Sequence, residues 1–262
     1  MLDVRYLGVR YGSKSILRGI EFALREGQWL MVAGPNGAGK STLISAISQS
    51  APYTGTVLVS GKDARRMKPH ELARQIGVLS QQHTVGYAFT VEEVVWMGRY
   101  AYSSGWPPSS HAGDTESVLS ALEQAGLTHL RRQSVLTLSG GELQRVFLAQ
   151  IWAQDPGVLL LDEPSNHLDL LYQQQTFERI GQWLKTPGRA VLSVVHDLSL
   201  ALAYGTEVLL LSGGKAAAYG AARDVLSRDT LRAVYGMDVY AWMQGMLGQW
   251  RDAAHPRLRE GD

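Results

Sequence analysis

The chain has 262 residues, 45% of them apolar and 19% charged, and its 25 Lys and Arg against 24 Asp and Glu leave a net charge of +1. That length suits one large domain or two small ones and buries about 70–75% of the surface exposed by the unfolded chain. The near-balance of charge argues against a dedicated duplex-DNA binder, which carries a basic excess, and the absence of cysteine excludes disulfides, thiolate catalysis and cysteine-ligated zinc.

No apolar run, such as Val208 to Leu211, approaches the ~20 residues of a membrane span. Met1 to Arg5 reads without an apolar leader region. Work at a membrane therefore calls for a partner. The 28 glycines invite a search for places where backbone must approach a ligand.

The first 30 residues read as strands. Leu2, Val4 and Tyr6 alternate with Asp3 and Arg5, and Ile16 to Leu24 is a second apolar-rich stretch. Trp29 to Ala33 is a continuous apolar run of the kind found in buried parallel strands. It runs into Gly34-Pro35-Asn36-Gly37-Ala38-Gly39-Lys40-Ser41-Thr42, and helical spacing follows through Leu43, Ile44 and Ile47. Thr56 to Val59 predicts a strand, Gly61-Lys62-Asp63 a turn, Pro69 the first turn of a short helix, and Ile76 to Ser80 a strand.

Residues 83 to 155 predict an all-helical insertion. Thr90 with Glu93 forms a capping-box pattern ahead of Val94, Val95 and Met97. Ser103 to Ser110 is rich in Ser, Pro and Gly and reads as loop. Val118, Leu119, Leu122 and Ala125 lie at helical spacing with Gly126 as the stop, and Ser139 begins a further helix. Strands return at Val158 to Asp162, Ala190 to Val195 and Glu207 to Leu211, with a helix through Phe177, Ile180, Trp183 and Leu184. Alternating strands and helices imply a mostly parallel sheet with helices packed on it. Beyond residue 236 the sequence mixes polar and aromatic residues, and its last ten read as a frayed tail.

Three motifs carry chemistry. Gly34 to Ser41 fits G-x-x-x-x-G-K-[ST] between a strand and a helix. Its glycines let backbone N–H groups wrap phosphate oxygens, Lys40 offers charge to β- and γ-phosphates, Ser41 offers a hydroxyl to Mg²⁺, and the helix start favours an anion. Asp162-Glu163-Pro164 ends a buried strand, where one carboxylate can hold Mg²⁺ through its water shell and the next can orient or deprotonate a water. Leu138-Ser139-Gly140-Gly141-Glu142 reads as an ordinary capping box, yet two glycines at a helix start sacrifice propensity and suit an anion site.

In this order the motifs resemble the ATP-binding cassette (ABC) family, over about residues 1–235. The resemblance implies a P-loop α/β fold: a mostly parallel sheet, N-terminal antiparallel strands and an inserted α-helical subdomain. It divides the chain into a nucleotide-binding core (1–82 and 156–235), a helical signature subdomain (83–155) and a C-terminal extension (236–262). It implies that Gly34 to Thr42 bind ATP, that Leu138 to Glu142 form the signature acting on the nucleotide of a second copy, and that Glu163 is the catalytic glutamate. It implies further roles: Tyr11 as the aromatic stacked on adenine, Gln81 as the Q-loop glutamine near the metal, Asp169 in the D-loop, and His196 as the switch histidine. Ser41, Gln81 and Asp162 would face Mg²⁺. Two positions depart from the family's habits: Ser80 stands where Pro often precedes the Q-loop glutamine, and Leu143 where Gln or Arg is commoner.

Phe89-Thr90-Val91-Glu92-Glu93-Val94-Val95 leading to Gly98-Arg99-Tyr100, and Val234-Tyr235-Gly236-Met237-Asp238-Val239, resemble the ATPases of iron–siderophore, haem and cobalamin importers. The implied protein is a homodimeric ATPase at the cytoplasmic face of the inner membrane. It would bind membrane-spanning permease subunits directly, an extracytoplasmic substrate-binding protein indirectly, and no nucleic acid. The competing reading is a soluble ABC ATPase of nucleic-acid maintenance or cofactor assembly. The nucleic-acid members usually carry two cassettes or long insertions, and this chain has neither.

Overall fold

The computed structural model describes residues 1–80, 86–102, 113–166 and 168–254. Gln81, the predicted loop at 103–110 and His167 of the D-loop stretch lie outside the described residues.

The chain opens with β1 (Leu2–Tyr11) and β2 (Lys14–Leu24), an antiparallel pair. The even alternation predicted for Leu2, Val4 and Tyr6 breaks at Tyr6, which is exposed and has φ 51°. The register shifts between Val4 and Leu7, and burial changes phase from Leu2 and Val4 to Leu7 and Val9. A bulge of this kind inserts one residue and re-aims the strand. It packs against Gly55, where a Cβ would strike the carbonyls of Arg5 and Tyr6.

Next come β3 (Trp29–Ala33), α1 (Lys40–Ile47), β4 (Thr54–Val59) and β5 (Lys62–Asp63). The predicted Gly61-Lys62-Asp63 turn sits one step earlier, at Ser60–Gly61, because Lys62 and Asp63 pair with Val59 and Leu58. α2 (Pro69–Gln75) begins at Pro69 as predicted and leads into β6 (Ile76–Leu79).

Between β6 and the next strand the described residues form helices. These are α3 (Val91–Trp96), α4 (Asp114–Gln124) and α5 (Gly140–Gln154), joined by 3₁₀ turns. Both predicted capping boxes exist: Thr90 Oγ1 accepts from Glu93 N at 3.2 Å, and Ser139 Oγ from Glu142 N at 3.3 Å. Such a cap is worth about 1 kcal/mol.

β7 (Val158–Asp162), α6 (Leu170–Leu184), β8 (Ala190–Val194), α7 (Leu198–Tyr204), β9 (Glu207–Ser212) and β10 (Lys215–Ala221) follow, then α8 (Ala222–Val225), α9 (Arg228–Tyr235) and α10 (Val239–Ala254). α10 runs two residues into the stretch 253–262 that reads as a frayed tail, and the remainder of that stretch, 255–262, lies outside the described residues.

The strands form two sheets. One has the order β2-β1-β4-β5 and is antiparallel; the other has the order β10-β9-β3-β8-β7-β6, parallel except for β10. β3, β7 and β8 are buried at every position, as parallel strands covered on both faces must be. One sheet face packs on the helices through Trp29, Val94, Leu122, Ile151 and Phe177. The other packs on α1 and the antiparallel sheet through Leu30, Leu43, Val57 and Ile20. The C-terminal ends of β3, β7 and β8 consequently open at one edge, where ligands bind in α/β sheets.

Candidate nucleotide site

Gly34 leaves β3 with φ 142°, and a Cβ there would collide with the carbonyl oxygen of Leu211 on β9. Gly39, φ 101°, caps α1, and a Cβ there would run into the Leu17 side chain. Both positions require glycine, which leaves bare backbone at 34 and 39. Lys40, the first residue of α1, is buried and donates from Nζ to the carbonyls of Gly34 at 2.8 Å and Pro35 at 3.1 Å. The Pro35 carbonyl also accepts from Ala38 N at 3.2 Å. Burial lowers the Lys40 pKa, opposed by the charges of Glu163 and Asp162.

Asp162 closes β7 and is buried; Ser41 Oγ donates to its Oδ1 at 3.2 Å. Desolvation raises its pKa, and the Ser41 hydrogen bond is the first of the opposing effects. Glu163 turns out of the strand at φ 55°, a left-handed conformation costing about 1–2 kcal/mol for an L-residue. Its N–H is held by the Val194 carbonyl at 3.2 Å, and its own carbonyl accepts from Asn166 N at 3.0 Å. The turn brings Glu163 Oε1 to 2.6 Å from His196 Nε2.

Lys40, Ser41, Glu163 and His196 share one open cleft of about 800 Å³, with Asp162 behind Ser41. Asn36, Gly37, Gly39, Lys40, Ser41 and Thr42 line it together with Glu163 and His196. The remaining wall, absent from the sequence reading, comes from Lys14, Ser15 and Ile16 on β2 and from Gly213 and Gly214. A Gly-Gly pair between two strands is a hairpin signal, so it was available in the sequence once Lys215–Ala221 is seen as a strand.

Other predicted residues stand apart. Tyr11, half exposed at the end of β1, pairs with Lys14 but does not itself line the cleft. Leu138 to Glu142 supply no lining residue either. Ser139 and Gly140 are exposed, and Glu142 is occupied by the cap, its pKa lowered chiefly by the Ser139 backbone N–H. Asp169 caps α6, accepting from Tyr172 N at 2.9 Å.

The donor set suits Mg²⁺. Ser41 and Asp162 present hard oxygens side by side, and no cluster of three or more His, Cys, Asp or Glu among the described residues could hold a metal unaided. Mg²⁺ commonly takes one or two protein ligands and completes its shell with water and substrate phosphate.

Residues 17–166 match the family described as ABC transporter. The hemin import ATP-binding protein HmuV of Pseudomonas aeruginosa is 42% identical over 245 residues, covering 91% of this chain and 94% of the relative. The cobalamin import ATP-binding protein BtuD of Halobacterium salinarum is 39% identical over 235 residues, covering 89% of this chain and 58% of the relative. Among solved structures, a chain of a metal-chelate type ABC transporter in an inward-facing conformation aligns with TM-score 0.78 at 26% identity, covering 90% of this chain and 89% of that one. A dimeric bacterial ABC transporter cassette aligns with TM-score 0.76 at 24% identity over 85% of this chain and 99% of that one, which bears on the fold alone. With the P-loop cleft and relatives aligned over nine-tenths of its length, the chain belongs to the ABC transporter family, as one of its ATPase subunits.

Proposed function

We propose that this protein is the ATP-hydrolysing subunit of an importer of haem or a related metal chelate. The observation that carries the reading is the one cleft in which Lys40, Ser41, Glu163 and His196 meet, in a chain similar over most of its length to a hemin import ATP-binding protein. The nucleic-acid alternative finds no support among these relatives.

ATP enters with its phosphates against the N–H groups of Gly37 to Thr42, where the N-terminus of α1 favours negative charge. Lys40 Nζ leaves the Gly34 and Pro35 carbonyls for the phosphates, exchanging neutral acceptors for charged ones. Ser41 and Asp162 would hold Mg²⁺, with Gln81 the third candidate by resemblance; the ion supplies charge neutralisation at the phosphates. Glu163 orients a water and takes its proton as the water attacks the γ-phosphorus, while the bond from that phosphorus to the β–γ bridging oxygen breaks and ADP leaves with the electron pair on that oxygen. His196, with its proton on Nε2, donates to the Glu163 carboxylate and holds it in place. Tyr11 is proposed to fold over the adenine from its position beside Lys14.

Because the signature stands clear of the cleft in its own chain, it is proposed to close the site of a second copy, with Asp169 at the junction. No described helix is long and apolar enough to cross a membrane. By its similarity to import ATP-binding proteins, the chain is proposed to serve separate permease subunits, sitting peripherally against them on the cytoplasmic face and reached only indirectly by an extracytoplasmic binding protein. The segment 83–155 is the proposed moving lobe, next to Gln81, with 1–82 and 156–235 as the stationary core and 236–262 as an extension. Its exposed Tyr87, Phe89 and Tyr100 are the proposed grip on the permease; Trp96 instead packs against the chain's own core.

Purification of the tagged chain from solubilised membranes tests the reading. Hydrophobic subunits should co-purify, and ATPase activity should travel with them. Recovery with nucleic acid in a salt-sensitive complex, and without membrane subunits, would contradict it.

A further inference from the structure

One wall of the cleft takes no part in the contacts among Lys40, Ser41, Asp162, Glu163 and His196. It consists of Lys14, Ser15 and Ile16 on β2 and of Gly213 and Gly214, the turn joining β9 to β10. The two pieces come from opposite ends of the sequence and from different sheets, so something must hold them in register.

That fastening is Arg18. Its backbone N–H donates to the Gly214 carbonyl at 2.8 Å, and its Nη2 donates to the Gly213 carbonyl at 2.8 Å. Gly214 is buried with φ 77°, and a Cβ there would collide with the Ile16 carbonyl oxygen. Further along the same strand, Tyr219 Oη donates to Ala23 O at 2.8 Å. Strand β10 is thus laid along β2, with its tip pinned by a guanidinium that bonds the Gly213 backbone carbonyl. The wall so formed joins two glycines without side chains to Lys14, Ser15 and Ile16 of β2, beside the loop residues Asn36 to Thr42 in the same cleft. It includes Lys14, the pairing partner of Tyr11.

We propose that Arg18 is a positioning residue for the nucleoside half of bound ATP. By holding the Gly213–Gly214 turn against β2, it sets the surface on which ribose and base rest, while the phosphates are held independently by the loop from Gly34 to Ser41. The inference rests on the reading of that loop as the phosphate site.

The test is calorimetric titration of the full chain with Mg-ATP and, separately, with inorganic tripolyphosphate, which carries no nucleoside. Arg18→Ala should raise the Kd for Mg-ATP about 3–10-fold, the worth of one hydrogen bond, and leave the Kd for tripolyphosphate unchanged. Arg18→Lys should recover part of the loss. Gly214→Ala, which forces the turn off Ile16, should show the same nucleoside-selective loss. Equal weakening of both ligands by Arg18→Ala, or weakening of neither, would overturn the proposal. Lys40→Ala is the control for the underlying reading: it should weaken both ligands, and unchanged binding of both would refute the phosphate site whatever Arg18 does.

Discussion

His196 Nε2 lies 2.6 Å from Glu163 Oε1 because two neighbouring parallel strands end in register. Asp162 of β7 pairs with Val194 of β8, so the residues just past each strand end emerge side by side. The Val194 carbonyl then holds the Glu163 N–H and fixes the strained turn that aims the carboxylate. Glu163→Gln keeps the shape and removes the carboxylate proposed as the base. It should bind Mg-ATP normally, lose about 10²–10⁴-fold in turnover, and accumulate as a nucleotide-bound dimer in size-exclusion chromatography. His196→Ala should slow turnover about 10-fold or more, the worth of a hydrogen bond to a charged group; unaltered kinetics would make His196 a bystander.

Lys40 is the buried cation of the site, and burial already disfavours its charge. Lys40→Ala should abolish hydrolysis and weaken nucleotide binding, since it removes the ammonium that the loop holds through the Gly34 and Pro35 carbonyls. Near wild-type ATPase rates in that variant would remove the P-loop from the mechanism.

Much of this was legible in the sequence because backbone requirements write themselves as residue identity. Gly34 and Gly39 are glycine for want of space, Ser139 and Glu142 mark a helix start by mutual hydrogen bonds, and β3 and β7 are continuous apolar runs because both faces are covered. What escaped depends on tertiary contact. Tyr6 breaks the alternation because Gly55, 49 positions away, makes room for a bulge. β10 reads Lys-Ala-Ala-Ala-Tyr-Gly-Ala, with little β propensity of its own, and is a strand because β9 and β2 hold it. α10 mixes Trp and Met with Gln and Gly, and among its described side chains Val239 and Met243 near its start pack on the core.

The exposed signature makes a prediction about stoichiometry. Ser139 and Gly140 do not line their own chain's cleft, so the ATPase rate of the isolated chain should be second order in protein at low concentration. A Lys40→Ala chain mixed with a Ser139→Arg chain should recover activity that neither has alone, because both lesions can fall in one site and leave the other whole. A mixture as inactive as its components would show that the signature acts within its own chain.

Tyr87 and Tyr100 are 74% and 64% exposed, and the Tyr87 and Phe89 rings lie 6.0 Å apart. Aromatic residues of this kind are enriched at interfaces. Tyr87→Asp and Tyr100→Asp should change stability by no more than about 0.5 kcal/mol, as surface substitutions do, and leave the isolated ATPase nearly intact. Both should abolish co-purification with the permease. Equal loss of ATPase activity in the isolated chain would make these residues structural.

Hydrolysis at this cleft is proposed to drive import. Uptake of labelled haem by cells lacking the chain, complemented with wild type or with Glu163→Gln at equal levels in the membrane, tests it directly. Wild type should restore uptake and Glu163→Gln should not, while still assembling with the permease. Uptake sustained by Glu163→Gln, or undiminished when the chain is absent, would contradict the account.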